Sequence, residues 1–405
     1  MHILFITDNF PPEVNAPATR TYEHSKIWVE EGHQVTVITC APNFPQGEVY
    51  EGYQNKWHQE EEVDGIEVIR VWSYITSNEG FIKRTLDYLS FAATSFWAGL
   101  FQQTDIILAT SPQFFTTWSG WLLSKFKRKP WVFELRDLWP ESIKTVGALD
   151  EGFIYDTLER IELFLYRSAN LVVPVTDAFK RNLTERNISS EKQLVIPNGS
   201  NLNLFNKDNS NGQKIRKQLN LESKFIVGYL GTHGMAHNLD FILESVAEIE
   251  DPEIHFLFIG DGAEKQNLIG LAEEKNLENV TFVDPIPKQE VPDYLEAVDV
   301  SLVPLKKSDT FKTVIPSKIF EAASMKLPIL LGVEGQAQEI VEEYEAGICF
   351  EPENKADFLA KLRLLKEDNE LYERVSENGE RLAQAYDREK LARKMLNALE
   401  NLATE

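Results

Sequence analysis

Short apolar runs recur through the first half of the chain, at His2–Thr7, Gln34–Thr39, Ile66–Val71, Asp105–Ala109, Trp131–Leu135 and Leu171–Val175. Most are apolar at every position rather than at alternate ones. Such strands are buried on both faces, as in a parallel sheet covered by helices. Helical segments fall between most of them; Ala18–Glu31 is one, with Gly32 as its stop. The second half repeats the pattern, with strands at Phe225–Leu230, His255–Ile259, Val280–Val283, Val298–Val303 and Ile329–Leu331. The helices between them are Asn238–Glu248, Ala263–Lys275, Gln289–Ala297 and Ser317–Met325. This alternation predicts two doubly wound α/β domains in tandem.

The junction is expected within Glu185–Gly212, where Ile196-Pro197-Asn198-Gly199 precedes a polar run, Asn206–Gly212. The expected domains are therefore 1–198 and 199–385. A last helix, Asp387–Leu402 within 386–405, is expected to pack back on the body. Open α/β sheets bind ligands beyond the carboxyl ends of their strands. Two such domains imply one substrate on each and chemistry in a facing cleft.

Composition narrows the partners. A chain of 405 residues has room for two domains with full cores. A net charge of −23 argues against nucleic acid, whose phosphates need a basic surface. The two cysteines, Cys40 and Cys349, form no metal-spaced pair and suggest a reducing compartment. Met1-His2 runs straight into the first strand, which leaves no room for a signal peptide. The expected location is cytoplasmic, including the inner face of the membrane.

Thr313–Leu331 carries the most specific chemistry. Pro316 and Ser317 are helix-start residues, and a serine oxygen there can cap free N–H groups. Lys318 opposes the helix dipole, so a packing role does not explain it. Glu321 lies one turn further on the same side. Free N–H groups with a lysine suit a diphosphate, and a carboxylate one turn deeper can accept two hydrogen bonds from ribose hydroxyls. The bland alternative is a solvated Lys–Glu pair contributing roughly 0.3–0.5 kcal/mol.

Other strands end in candidate loops. Gly231-Thr232-His233-Gly234-Met235-Ala236-His237-Asn238 reads either as a phosphate loop or as a plain glycine-rich turn. His233 and His237 are phosphate or sugar contacts there, or only polar loop residues. Gly260-Asp261-Gly262 starts like a dinucleotide fingerprint, but Lys265 stands where the third glycine belongs, which counts against a nicotinamide dehydrogenase. After the first strand, Asp8–Arg20 holds three prolines with Glu13, Asn15 and Arg20; it is a ligand loop or a rigid linker with an exposed arginine. Arg136-Asp137-Leu138-Trp139-Pro140-Glu141 is a structural ion pair or an acceptor-side catalytic group.

All eight tryptophans fall before residue 140. Leu86–Phe101 is a strongly apolar helix flanked by Lys83 and Arg84, and Phe114–Phe126 runs into Lys127, Arg128 and Lys129. Neither reaches the ~20 apolar residues that span a bilayer. They are core helices, or a surface through which 83–129 docks on an anionic membrane.

Together these motifs resemble the retaining glycosyltransferases of family 4, over nearly the whole chain. The resemblance rests on the proline-rich loop, Arg136–Glu141, Ile196–Gly199 with Phe205, Gly260–Gly262, Asp299 with Pro304, and Pro316–Glu321. Within that family, the L-fucosamine (N-acetylfucosamine) transferases of bacterial surface polysaccharides, such as O-antigen or capsule, carry similar Asn-Ala-Pro-Ala and Gly-Thr-His-Gly-Met-Ala-His stretches. The resemblance implies a GT-B fold, two Rossmann-like doubly wound domains with a facing cleft. It implies a nucleotide-diphosphate sugar donor, UDP-linked by expectation, with retention of anomeric configuration and no required metal or other cofactor. Donor contacts fall at Gly231, Thr232, His233, Gly234, His237, Gly260, Gly262, Pro316, Ser317, Lys318, Ile319 and Glu321. Asn15, Arg20 and Arg136 face a polyprenyl-linked or saccharide acceptor. Lys318 stabilises the leaving group, and Asp137 or Glu13 orients or deprotonates the acceptor.

Glu321 matches the second glutamate of the family's E-x7-E motif, and the first falls at Thr313. The family's arginine and lysine after the phosphate-loop glycine fall at Thr232 and His237. Charge neutralisation is then expected from Lys318, His237 and the helix start. The competing readings are a sugar-nucleotide 2-epimerase or phosphorylase of the same fold, and an inactive nucleotide-binding scaffold subunit.

Overall fold

The computed structural model describes residues 1–44, 46–76, 81–111, 114–141 and 152–404. It divides into two compact units, Met1–Pro197 with Arg388–Glu405, and Asn198–Asp387.

The first unit is built on a seven-stranded sheet. Its strands are β1 (His2–Ile6), β2 (Gln34–Cys40), β3 (His58–Val63), β4 (Ile66–Val71), β5 (Ile106–Thr110), β6 (Trp131–Leu135) and β7 (Leu171–Pro174). Their order is β3-β4-β2-β1-β5-β6-β7. All neighbours are parallel except β3 and β4, which form an antiparallel edge pair. The apolar-run criterion missed β3 because His58-Gln59-Glu60-Glu61-Glu62-Val63 has no buried face to mark it; every position is exposed or half-buried. The central strands are buried on both faces, and separate apolar cores lie on the two sides of the sheet.

The helix Ala16–Glu30 covers one side. Its Trp28 is fully buried and donates its indole N–H to the Ala392 carbonyl. Leu391, Met395, Leu396 and Leu399 of the terminal helix Arg388–Thr404 complete that core, so the chain's end belongs to the first unit. Arg388 pairs with Glu23 beneath them.

The second unit has a six-stranded, all-parallel sheet. Its strands are β8 (Phe225–Leu230), β9 (Ile254–Ile259), β10 (Val280–Val283), β11 (Val300–Pro304), β12 (Ile329–Gly332) and β13 (Gly347–Cys349), in the order β10-β9-β8-β11-β12-β13. At three residues, β13 is too short to register as an apolar run.

Both orders reverse direction once: between β1 and β5 in the first unit and between β8 and β11 in the second. Successive connections leave on opposite sides there, which opens a crevice at the carboxyl edge. The segments beside these openings are Asp8–Asn15 after β1, Gly231–Asn238 after β8, and 305–317 after β11. The structure therefore puts the motif-bearing loops where ligands enter α/β sheets.

Candidate functional site

In the second unit the site grows from β8. Tyr229, near its end, is fully buried and donates its hydroxyl to the Thr232 carbonyl at 2.6 Å. That bond folds the loop over the ring. Across the switch point, the helix Lys318–Ser324 begins after β11 and sends Lys318 back toward β8. The Lys318 ammonium lies 3.6 Å from the Tyr229 ring centroid. Such cation–π contacts contribute about 0.5–2 kcal/mol. Gly231 makes the approach possible: a Cβ there would stand 2.7 Å from Lys318 Cε and 2.8 Å from Nζ. Burial pushes the Lys318 pKa down to about 7, and the Glu321 carboxylate pulls it partly back. The protein thus holds a poorly solvated cation, half-buried, beside the loop that ends β8. An arriving anion would favour its charged form. Glu321 is half-buried as well, and so not walled into the core.

Several expected contacts prove to be structural. His233 is fully buried against Tyr229, Phe258 and Phe282, and burial pushes its pKa down to about 4. It is a neutral wedge inside the loop and not a phosphate contact. His237 also has its pKa pushed down to about 4, by burial and then by Lys318. A neutral His237 cannot supply the charge expected of it, although its ring packs on Tyr229 beside the lysine.

Gly260 and Gly262 serve loop packing. A Cβ on Gly260 would fall 2.0 Å from the Gly231 carbonyl oxygen, and one on Gly262 would fall 2.4 Å from that of His233. The two loops thus meet backbone to backbone, and the fingerprint-like glycines hold the phosphate-loop candidate in place. Lys265, which breaks that fingerprint, bonds the Gly260 carbonyl at 2.9 Å and Asp284 at 2.6 Å.

Ile319 is buried in the core, and its N–H donates to the Pro316 carbonyl, so the Ile319 amide is used within the turn. Ser317 makes no side-chain cap and has helical backbone angles. The expected capped helix start is therefore a tight turn in which the Ser317 carbonyl accepts from Phe320 and Glu321. Pro316, Ser317, Thr232 and Gly234 keep surface exposure along this rim.

In the first unit, Arg20 departs most from expectation. It is 2% exposed. Its Nε bonds Glu134 at 2.9 Å, and its terminal nitrogens donate to the Pro197 and Ile196 carbonyls at 2.7 and 2.8 Å. It fastens the end of the first unit and is not an acceptor contact. Burial alone would raise the Glu134 pKa, yet Arg20 and Arg136 hold it below the ordinary carboxylate value. Arg136 is half-buried, donates to the Pro17 carbonyl at 3.3 Å, and has its pKa pushed down to about 10 by burial. Asp137 is half-buried, with its N–H 3.3 Å from Ser111 Oγ. Asn15 caps the helix Ala16–Glu30 by accepting from the Ala18 N–H, and its amide reaches Asn9. Glu13 is buried, with Oε1 accepting from the Asn43 and Phe44 N–H groups at 2.8 and 2.9 Å.

Two family models cover these two halves. "Glycosyl transferase 4-like domain" matches residues 15–199 and "Glycosyl transferases group 1" matches 211–382. The chain is a GT-B glycosyltransferase. WcaI of Escherichia coli (strain K12), a glycosyl transferase assigned to colanic acid biosynthesis, is 24% identical, covering 98% of this chain and 99% of that one. Among solved structures, sucrose-phosphate synthase from Thermosynechococcus elongatus superposes with TM-score 0.79 at 20% identity, over 99% of both chains. Anabaena HepE in complex with UDP-glucose gives 0.75 at 18% identity, over 99% of this chain and 100% of that one.

Sequence reasoning missed several groups of this glycosyltransferase. Tyr229 gave no signal because an apolar strand hides an aromatic platform. Glu134 and His24 sit inside apolar or amphipathic elements. Both ring nitrogens of His24 are buried without a hydrogen-bond partner among the described residues, and its pKa lies well below the ordinary value through burial and the nearby arginines. Asp8 and Asp87 were passed over because only the fold brings them together.

Proposed function

We propose that this glycosyltransferase moves a sugar, with retention of configuration, from a UDP-sugar to a saccharide or polyprenyl-linked acceptor in bacterial surface-polysaccharide synthesis. An N-acetylated deoxysugar of the fucosamine type is the sugar that the Asn-Ala-Pro-Ala and Gly-Thr-His-Gly-Met-Ala-His stretches favour. The observation carrying this reading is Lys318, held over Tyr229 beside Gly231 at the switch point of the second sheet. Support for the donor class comes from HepE, whose structures contain UDP and UDP-glucose. Support for polysaccharide synthesis comes from WcaI, named for colanic acid biosynthesis, and support for the acceptor class from a Campylobacter jejuni transferase whose named substrate is a diphospho-undecaprenol saccharide.

In this mechanism Lys318 meets the charge that develops on the leaving diphosphate. Glu321 accepts hydrogen bonds from the ribose. The acceptor oxygen attacks the face that the diphosphate leaves, and Glu13 or Asp137 of the first unit orients it or takes its proton. No metal enters the scheme.

The test is a thermal-shift screen of UDP-, GDP- and dTDP-sugars, followed by calorimetry across pH. A UDP-sugar diphosphate keeps its charge between pH 6 and 8, so Lys318 dominates the linkage. Its pKa near 7 in the free protein rises when the diphosphate binds. Binding is then strongest below pH 7 and weakens as pH rises, by about tenfold between pH 6 and 8. Equal affinity at the two pH values would remove Lys318 from the phosphate site.

We place the first unit against the cytoplasmic membrane face. Trp97 and Phe126, on the helices Phe81–Leu100 and Thr116–Lys127, and Phe101, in the turn after the first of these, are 65%, 68% and 71% exposed, with Lys125 and Arg128 exposed as well. Aromatics next to cations suit an anionic bilayer surface, and no described helix is long and apolar enough to cross a membrane. Co-sedimentation with anionic liposomes should exceed that with neutral ones, and serine at all three aromatic positions should abolish the difference. Sedimentation indifferent to lipid charge counts against docking.

A further inference from the structure

A second cavity, of about 450 Å³, lies in the first unit where the loops after β1, β2 and β4 converge. Its lining includes Asp8, Glu13, Asn15, Asn43, Asp87 and Tyr88. It opens on the carboxyl edge of the sheet, beside the switch at β1. The larger recess near Met1, His2 and Phe101 lies at the opposite, amino edge, where α/β sheets do not bind ligands.

The carboxylates of this cavity are unusual. Asp8 and Glu13 are only 8% and 3% exposed. Asp8 Oδ1 and Glu13 Oε2 are both buried without a hydrogen-bond partner among the described residues. Glu13 is oriented by its two backbone bonds through Oε1, which leaves Oε2 as the unused oxygen. A buried polar atom without a partner costs about 1–3 kcal/mol. Asp87 adds a third carboxylate, held by the Ser73 hydroxyl. Of the cations nearby, Arg70 is paired with Glu61 and bonds the Cys40 and Pro11 carbonyls, while Arg84 lines the cavity, donates to the neutral Tyr88 hydroxyl and offsets one of the three acids. The cavity therefore offers oxygens that accept hydrogen bonds and a surplus of negative charge. Burial raises the pKa of all three acids, that of Asp8 to about 7.

We infer that this cavity is the acceptor subsite and takes an uncharged, hydroxyl-rich sugar ring, whose O–H groups donate to Asp8 and Glu13, while anionic sugars are excluded. The inference rests on the glycosyl-transfer reading and adds the chemical class of the acceptor's terminal residue. The volume, at the lower end of small-ligand sites, admits one or two pyranose rings. A uronate or a phosphosugar would bring like charge against Glu13 and Asp87, and against Asp8 once the pH exceeds its raised pKa of about 7, which costs affinity instead of adding it.

The experiment is saturation-transfer NMR on the full chain with methyl glucoside, methyl galactoside, methyl N-acetylglucosaminide and methyl glucuronide. The three neutral glycosides are probes of the ring chemistry. At least one should receive saturation, and the glucuronide should not. The effect should persist with saturating UDP-glucose. Glu13→Gln and Asp8→Asn should each weaken the neutral ligand by about tenfold, as expected for one lost hydrogen bond to a charged group. UDP calorimetry on the same variants reports on the second unit alone, so failure here is distinguishable from failure of the donor reading. Equal saturation of glucuronide, no saturation by any neutral glycoside, or displacement by UDP-glucose but not by UDP would each overturn the inference. The wild-type comparison stands whether or not either variant folds.

Discussion

Lys318→Ala is expected to lower turnover by about 10²–10³, the range for removing one preorganised group that meets developing charge. The loss should fall mainly on the chemical step. The diphosphate already carries charge in the ground state, but its leaving oxygen gains more as the glycosidic bond opens. Donor affinity should therefore fall by a smaller factor than turnover. The fold should survive, because Lys318 begins a short helix whose buried positions are Ile319, Phe320, Ala322 and Ala323. Alanine also removes an ammonium that burial disfavours, so the melting temperature should hold or rise. The measurement is single-turnover transfer from a UDP-sugar beside a melting curve. Unchanged turnover in a folded variant would discard the proposed leaving-group role.

Arg20→Met should destabilise the first unit by about 3–5 kcal/mol, since it removes the cation bonded to the buried Glu134 and leaves only the Arg136 charge to offset it. It also frees the Ile196 and Pro197 carbonyls that Arg20 holds. The double variant Arg20→Met, Glu134→Gln should recover much of that loss, because both charges then disappear together. Denaturant unfolding of the wild type, both single variants and the double variant closes the cycle. The sequence-based alternative predicts the reverse: normal stability and a raised acceptor KM in Arg20→Met. That pair of results would return Arg20 to the acceptor side.

These two residues also show which signals were legible. Lys318 stood out because a cation at a helix start contradicts local propensity, and such contradictions mark function more often than packing does. Arg20 reads from sequence as a ligand contact or as an exposed arginine on a rigid linker, yet its partners come from β6 and from residues 196–197, more than a hundred positions away. No local pattern announces a partner that distant. His233 misled for the same reason. A histidine in a glycine-rich loop reads as a ligand contact until Tyr229, Phe258 and Phe282 are seen around it. Gly260 and Gly262 read from sequence as the start of a dinucleotide fingerprint, but the backbone that approaches them is the protein's own loop at residues 231–233.

By itself the sequence determined the two α/β halves, most of the strands, and the short list of loops that could bear ligands. Those features follow from runs of apolar residues and from turn chemistry, which act over a few residues. The tertiary structure decided which polar groups are left for a substrate. It paired Arg20 with Glu134, buried His233, set Lys318 on Tyr229, and gathered Asp8, Glu13 and Asp87 around one cavity. The reason is physical: the cost of an unsatisfied buried charge depends on every group packed around it, and those neighbours are set by the order of strands in the sheet.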